Sequence, residues 1–183
     1  MARRIEYTGP PVLSIEQVAF QCRAEPEDLQ PELIELVIIP GVTAQCESKT
    51  GAAIREAVYE EEWPASYLSG HSLDVGQVVA VESVAMLGES GVLVPFEGGV
   101  QLTQGGKESY LEFPGGRPAG RLRIRYRAGV DLEAHPGVRS WLLMAAETAF
   151  THRGVLIVGQ GLAEVPSSFV DHLLADITVP PRF

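Results

Sequence analysis

Residues 33–51 read LIELVIIPGVTAQCESKTG. The first six apolar positions, Leu33, Ile34, Leu36, Val37, Ile38 and Ile39, leave almost no polar face, and a helix that is apolar all round is normally buried all round. After Pro40-Gly41 the stretch becomes more polar and closes on a helix-stop signal, Lys49 in the last turn and Gly51 where a left-handed cap belongs. The pattern predicts one long core helix, or two helical pieces sharing an axis. A kink is expected at Pro40, because proline removes an amide donor and clashes with the preceding turn. A buried strand over residues 35–39, broken by a Pro-Gly turn, is the other reading of the same run. The helix signals on either side favour the helix.

Working outward toward the N-terminus, Pro31 suits a first helical position, and Glu32 and Glu35 suit the positive end of the helix dipole. An acidic link, Glu25-Pro-Glu-Asp-Leu-Gln30, precedes it. Before that, Ser14-Ile-Glu-Gln17 has the form of a capping box. Ile15, Val18, Ala19 and Cys22 then keep helical spacing, so a short amphipathic helix is expected over residues 14–23. Residues 1–13 read as an extended arm stiffened by Pro10-Pro11.

Toward the C-terminus the texture changes to alternation punctuated by glycine. Strands are expected over residues 57–63, 78–87, 92–96, 100–103, 110–113 and 122–126. Gly88, Gly91, Gly98-Gly99, Gly105-Gly106 and Gly115-Gly116 supply the turns between them. In the last strand Leu122, Ile124 and Tyr126 alternate with Arg121, Arg123, Arg125 and Arg127, the period of two expected of a half-buried strand. Helical spacing returns with Val138, Trp141, Leu142, Ala145, Ala149 and His152, entered at Pro136 and ended by His152-Arg153-Gly154. Residues 155–165 read as a linker. A last helix, 167–177, carries Phe169, Val170, Leu173, Leu174 and Ile177 on one face, and prolines keep residues 178–183 extended and open to a partner.

The expected fold class is therefore α+β: a small bundle of about four helices (1–56 and 129–183, with extended terminal arms) into which an antiparallel β region (57–128) is inserted. A chain of 183 residues buries a sufficient core without disulfides or metals. The N-terminal MARRIEYTG has no apolar stretch behind its arginines, so it does not read as a secretory signal, and no apolar run is long enough to span a membrane. Cys22 and Cys46 lack metal-ligand spacing and read as reduced, buried side chains. A net charge of −10 opposes independent nucleic-acid binding, which depends on cationic side chains neutralising phosphates.

No catalytic, cofactor or metal constellation is legible. His71, His135, His152 and His172 are scattered, no serine lies in a G-x-S-x-G elbow, and Gly159-Gln-Gly161 lacks the third glycine of a dinucleotide fingerprint. Glu60-Glu61-Glu62 alternates across a strand and reads as a solvated charged edge. The four arginines are the one concentrated basic feature. They read equally as a solvated sheet face and as a patch for an acidic surface of a neighbouring subunit.

The order of elements resembles the head-tail connector (adaptor, or head-completion) proteins of long-tailed double-stranded DNA bacteriophages and of gene transfer agents. The likeness rests on the helix at residues 14–23, the longer helix ending Glu47-x-x-Thr50-Gly51, the strand Val79-Ala-Val-Glu-Ser-Val84, and Ile124-Arg-Tyr-Arg-Ala-Gly129 followed by Pro136-x-Val-Arg139 and a helix ending His152-Arg153. What the resemblance implies is a structural virion protein without catalysis or cofactor. It would form a homo-oligomeric ring, a dodecamer, beneath the portal protein at the capsid vertex after assembly in the host cytoplasm. The ring would extend the channel through which DNA passes without specific binding, and would offer a platform to a stopper or tail-completion protein, with no membrane contact. On that basis Phe169, Val170, Leu173, Leu174, Ile177, Pro180, Pro181 and Phe183 are expected to dock on the portal, and Arg121, Arg123, Arg125 and Arg127 to meet the adjacent subunit. The alternatives are a tail-terminator or stopper ring, or a small-molecule binding or hydrolase domain whose site is dispersed in sequence.

Overall fold

The structure, a computed structural model, describes residues 1–88, 91–152 and 172–181. The fold is α+β with antiparallel sheets, and it divides into two compact units. A sheet unit takes Met1–Pro10, Gly51–Val130 and the chain from Ile177. A helical unit takes Pro11–Thr50 and the chain from Asp131 to Asp176.

In the sheet unit, β1 (Arg3–Tyr7), β2 (Ala57–Trp63), β4 (Val78–Leu87), β5 (Leu93–Pro95) and β8 (Arg121–Ala128) form one sheet in the order β1-β2-β8-β4-β5. A smaller sheet, β3-β7-β6, joins β3 (His71–Ser72), β7 (Ser109–Glu112) and β6 (Gln101–Gln104). The N-terminal residues expected as an extended arm include the edge strand β1, paired antiparallel with β2. Arg55 helps hold it by donating to the Gly9 carbonyl at 2.9 Å and covering the Tyr7 ring at 4.4 Å.

Period-two alternation decides which side of β2 and β8 is buried. Ala57, Tyr59, Glu61 and Trp63 lie opposite Ala128, Tyr126, Ile124 and Leu122, and all eight are buried. β4 carries ten residues against the eight of β8. Two register shifts, between Val78 and Ala80 and between Val81 and Ser83, absorb the difference. They leave Val78, Val81, Val84 and Met86 opposite the buried residues of β8. Leu73, Leu111 and Phe113 close over this face to make one core cluster. Each large apolar side chain sealed there contributes about 1.5–3 kcal/mol by area burial.

In the helical unit, α1 (Ile15–Cys22) begins with the capping box that its sequence predicts. Ser14 Oγ accepts from the Gln17 amide at 3.3 Å, and the Ser14 amide donates to Gln17 Oε1 at 2.9 Å. Pro26–Leu29 forms a 3-10 turn. Helix α2 (residues 31–50) then runs without a break, α-helical over Pro31–Leu33, π-helical over Ile34–Ile38 and α-helical again over Ile39–Thr50. The π turn answers the question posed by Pro40. In an α-helix the proline ring would strike the Leu36 carbonyl four residues back. Here the turn before it is widened, and the Ile39 amide reaches the Ile34 carbonyl five residues back. The wider turn also serves packing. Residues spaced by four drift by about 40° per step around an α-helix of 3.6 residues per turn, and the π segment counteracts that drift, so Ile34, Ile38, Val42 and Cys46 are all buried. Gly51, at φ +68°, closes the helix in the left-handed region.

Helix α3 (Pro136–Thr151) packs with α1 and α2 through Val138, Trp141, Leu142 and Ala146. A Cβ at Gly137 would lie 2.7 Å from the Leu173 carbonyl, so the turn at residues 172–176 approaches α3 only because residue 137 has none. The described residues hold three helices rather than the four expected. Of the predicted last helix, residue 172 is helical and 173–177 form a turn, while its earlier residues lie outside the described chain.

Candidate functional site

The outer face of the large sheet gathers the basic residues singled out from sequence. Alternation puts Arg121, Arg123, Arg125 and Arg127 on the side opposite the core, where β2 presents Glu60 and Glu62. Every guanidinium has a carboxylate of its own chain within reach. Arg121 and Arg123 both pair with Glu62, the latter at 2.7 Å, and Arg123 also lies 3.8 Å from Glu60. Arg125 meets Glu82 at 3.0 Å and Glu6 at 3.5 Å, and Arg127 meets Glu56 at 3.6 Å. Arg3 adds a contact with Glu60 at 3.5 Å.

The electrostatics follow from this geometry. The hydrogen bond from Arg123, with the two nearby positive charges, holds the Glu62 carboxyl below its usual range. Reciprocally, Glu62 pushes the Arg123 guanidinium up. Isolated exposed pairs of this kind are worth about 0–1 kcal/mol each, and a shared network is what makes them count. Chemically, the face is a neutralised ladder joining β1, β2, β8 and β4. The triplet 60–62 is not a sheet edge, because β2 is flanked by β1 and β8. Edge-strand charge is unnecessary there. Glu60 and Glu62 hold the arginines instead.

The middle glutamate does something that sequence reasoning did not foresee. Glu61 is only 2% exposed, on the core face between Tyr59 and Trp63. It accepts from the Trp63 indole, from the Asp74 amide at 3.0 Å and from the Tyr126 hydroxyl at 2.8 Å. Burial pushes its carboxyl pKa up, against the pull of these donors. Burial and the adjacent Glu61 push the Tyr126 phenol up as well. The available signal was the alternation itself, which sets the central residue of Glu-Glu-Glu on the side of two aromatics.

The described members of the expected portal-docking set fall in both units. Phe169, Val170 and Phe183 lie outside the described residues. Leu174 is buried in the helical unit and Ile177 in the sheet unit, with Leu173 half-buried. Val179 reaches Gly51, where an added Cβ would meet it at 3.3 Å. Among the described members of the set, Pro180 and Pro181 are the exposed ones. The tail from residue 177 is therefore first a piece of the sheet unit.

Nothing among the described residues forms a cluster of three or more His, Cys, Asp or Glu able to hold a metal, and no described helix is long and apolar enough to cross a membrane. His71 stacks against Tyr67 and meets Trp63 edge-on at 5.3 Å, while His135 and His152 flank α3. Burial pushes the Cys46 thiol up to about 12, so it is an unreactive core side chain.

No family profile and no curated protein matches the chain. Solved structures do. A chain in the virion of a native gene transfer agent particle is 20% identical with a TM-score of 0.73, covering 100% of this chain and 97% of its own. A chain in the neck of an empty particle, computed with C6 symmetry, gives 18% identity and a TM-score of 0.75 at the same coverage. A chain in the neck of a native particle, computed with C12 symmetry, gives 20% and 0.71, again at that coverage. At these identities the likeness is one of fold, and it covers 100% of this chain.

Proposed function

We propose that this chain is a structural component of the neck of a phage-like particle, a head-tail adaptor that assembles as a ring beneath the portal. The ring extends the DNA channel and provides the platform for a stopper or tail-completion protein. The observation that carries this reading is the match, over 97–100% of both chains, to chains of gene transfer agent particles and their necks. The C6 and C12 symmetry of those necks supports a ring of many copies, twelve on the latter symmetry. The paired helices α1 and α2, which lie between β1 and β2 in the chain, favour an adaptor over a stopper or tail-terminator, for which a dominant β-barrel is expected. The chain acts by shape and contact, with no bond made or broken.

The charged sheet face bears on how such a ring would hold together. Its four arginines are already paired within the chain, so a neighbouring subunit meeting this face would have to exchange partners rather than supply missing ones. The decisive experiment is a mass measurement on the full chain, alone and mixed with the portal protein of the same particle. A ring-sized increment on the portal is the expected result. A chain that stays monomeric and never associates with portal overturns the proposal.

A further inference from the structure

Helix α2 has an apolar side that, among the described residues, stays exposed. Ile34, Ile38, Ile39 and Val42 are buried, yet Leu36 is 73% and Val37 59% exposed. Pro40, Gly41 and Ala44 are exposed too, at the three- and four-residue steps that place side chains side by side on a helix. Single exposed aliphatics are ordinary, whereas a contiguous run along one helix marks a contact surface. Glu32 and Glu35, both exposed, stand at the N-terminal end of the same side.

The charge distribution says what kind of surface fits there. The sheet unit holds ten Lys and Arg against eleven Asp and Glu, and the helical unit four against thirteen. Nearly all of the net charge of −10 thus belongs to the helical unit. A second copy presenting its own helical unit would bring acid against acid. The cationic ladder of a second copy's sheet unit is neutralised by its own glutamates. Nucleic acid is repelled outright. A positively charged protein surface is attracted, and its apolar side chains have Leu36 and Val37 to cover.

We infer that the outward face of helix α2, Leu36, Val37, Pro40 and Ala44 with Glu32 and Glu35, docks a basic protein segment bearing an apolar anchor. The inference goes beyond the neck reading, and its test uses no neck component, so the two fail separately.

The probe is a synthetic amphipathic helical peptide of leucine and lysine, titrated against the full chain by fluorescence anisotropy, with a leucine and glutamate peptide as control. The lysine peptide binds and the glutamate peptide does not. The pair Leu36→Ser and Val37→Ser weakens binding at least about tenfold. Glu32→Lys with Glu35→Lys weakens it comparably and flattens its dependence on salt, since attraction between exposed charges is screened over about 10 Å at 0.1 M. Glu25→Lys with Glu27→Lys, exposed acids off this helix, leaves affinity within about twofold. Circular dichroism confirms that each variant folds. Equal binding of both peptides, or an equal loss in the Glu25 and Glu27 variant, overturns the site. Self-association that disappears with Leu36→Ser and Val37→Ser assigns the face to a second copy and overturns it as well. So does a fall in melting temperature with unchanged peptide affinity, which makes the face part of the chain's own stability rather than a docking site.

Discussion

The two units differ in how they dispose of charge, while both leave aliphatic side chains in solvent, Leu68, Val92 and Val94 in the sheet unit among them. In the sheet unit the inner face is sealed by Leu73, Leu111 and Phe113, and the outer face neutralises itself through arginine and glutamate from adjacent strands. The helical unit buries one side of α2 and leaves Leu36 and Val37 in solvent, under an excess of negative charge. A surface that neutralises itself needs no partner to be stable. One that retains both apolar area and net charge is incomplete as a surface although complete as a fold. The sheet unit is accordingly where substitution should cost stability, and the helical face is where substitution should cost association.

The largest effect tests that division directly. Trp63 is fully buried in the sheet core, against Phe113 and His71. Trp63→Ala should cost about 3–5 kcal/mol of unfolding free energy, since truncating a buried aromatic adds a cavity to the lost burial. Leu36→Ala should stay within about 0.5 kcal/mol, as exposed substitutions do. Urea unfolding of the two variants measures both. Comparable losses at the two positions would erase the distinction between the units.

A middle-sized effect concerns Glu61, the polar group that the sheet unit buries. Its carboxyl is raised by burial in the folded chain, so the folded state binds a proton more readily than the unfolded chain. The resulting contribution to stability is fully present below the unfolded pKa and is lost as pH rises through the folded one. Stability should therefore decline across that window as pH increases. Glu61→Gln should flatten the decline. It should also cost about 1–3 kcal/mol, because an amide nitrogen in place of Oε2 leaves the Asp74 amide without its acceptor. Urea midpoints taken at several pH values would show both changes, and a pH profile identical to the parent would break the argument.

What sequence could disclose follows the range of the interactions involved. The capping box at Ser14 and the arginine alternation in β8 are set by residues within a few positions of each other, and both were legible. β1 was not, because RRIEY becomes a strand only through pairing with residues fifty or more positions away. Alternation alone sets Glu61 on the core face, but its partners Asp74 and Tyr126 are ones that no local pattern names. The apolar run of α2 announced burial on every side, and the fold delivers it on one. Composition states that surface wants covering but does not name what covers it. The π turn lay between these cases: Pro40 marked a disturbance, but the widened turn before it depended on keeping Ile34 and Ile38 in the core beside Val42.

The smallest effect lies on the outer ladder and sharpens the comparison most finely. Arg123 stands directly opposite Glu62 and is paired with it, so Arg123→Glu removes a hydrogen-bonded pair and sets like charges across two central strands. Cross-strand pairs are worth about 0.2–1 kcal/mol, and exposed ion pairs fall in the same range. A small loss is therefore expected at low salt, shrinking as salt screens the new repulsion. Thermal melts at low and high ionic strength measure it. If the ladder serves only its own sheet, the reversal lowers stability and leaves any ring-sized assembly on the portal intact. If assembly is lost while the melt barely moves, the arginines are working between subunits, and the self-neutralised face is a resting arrangement that a neighbour's carboxylates displace.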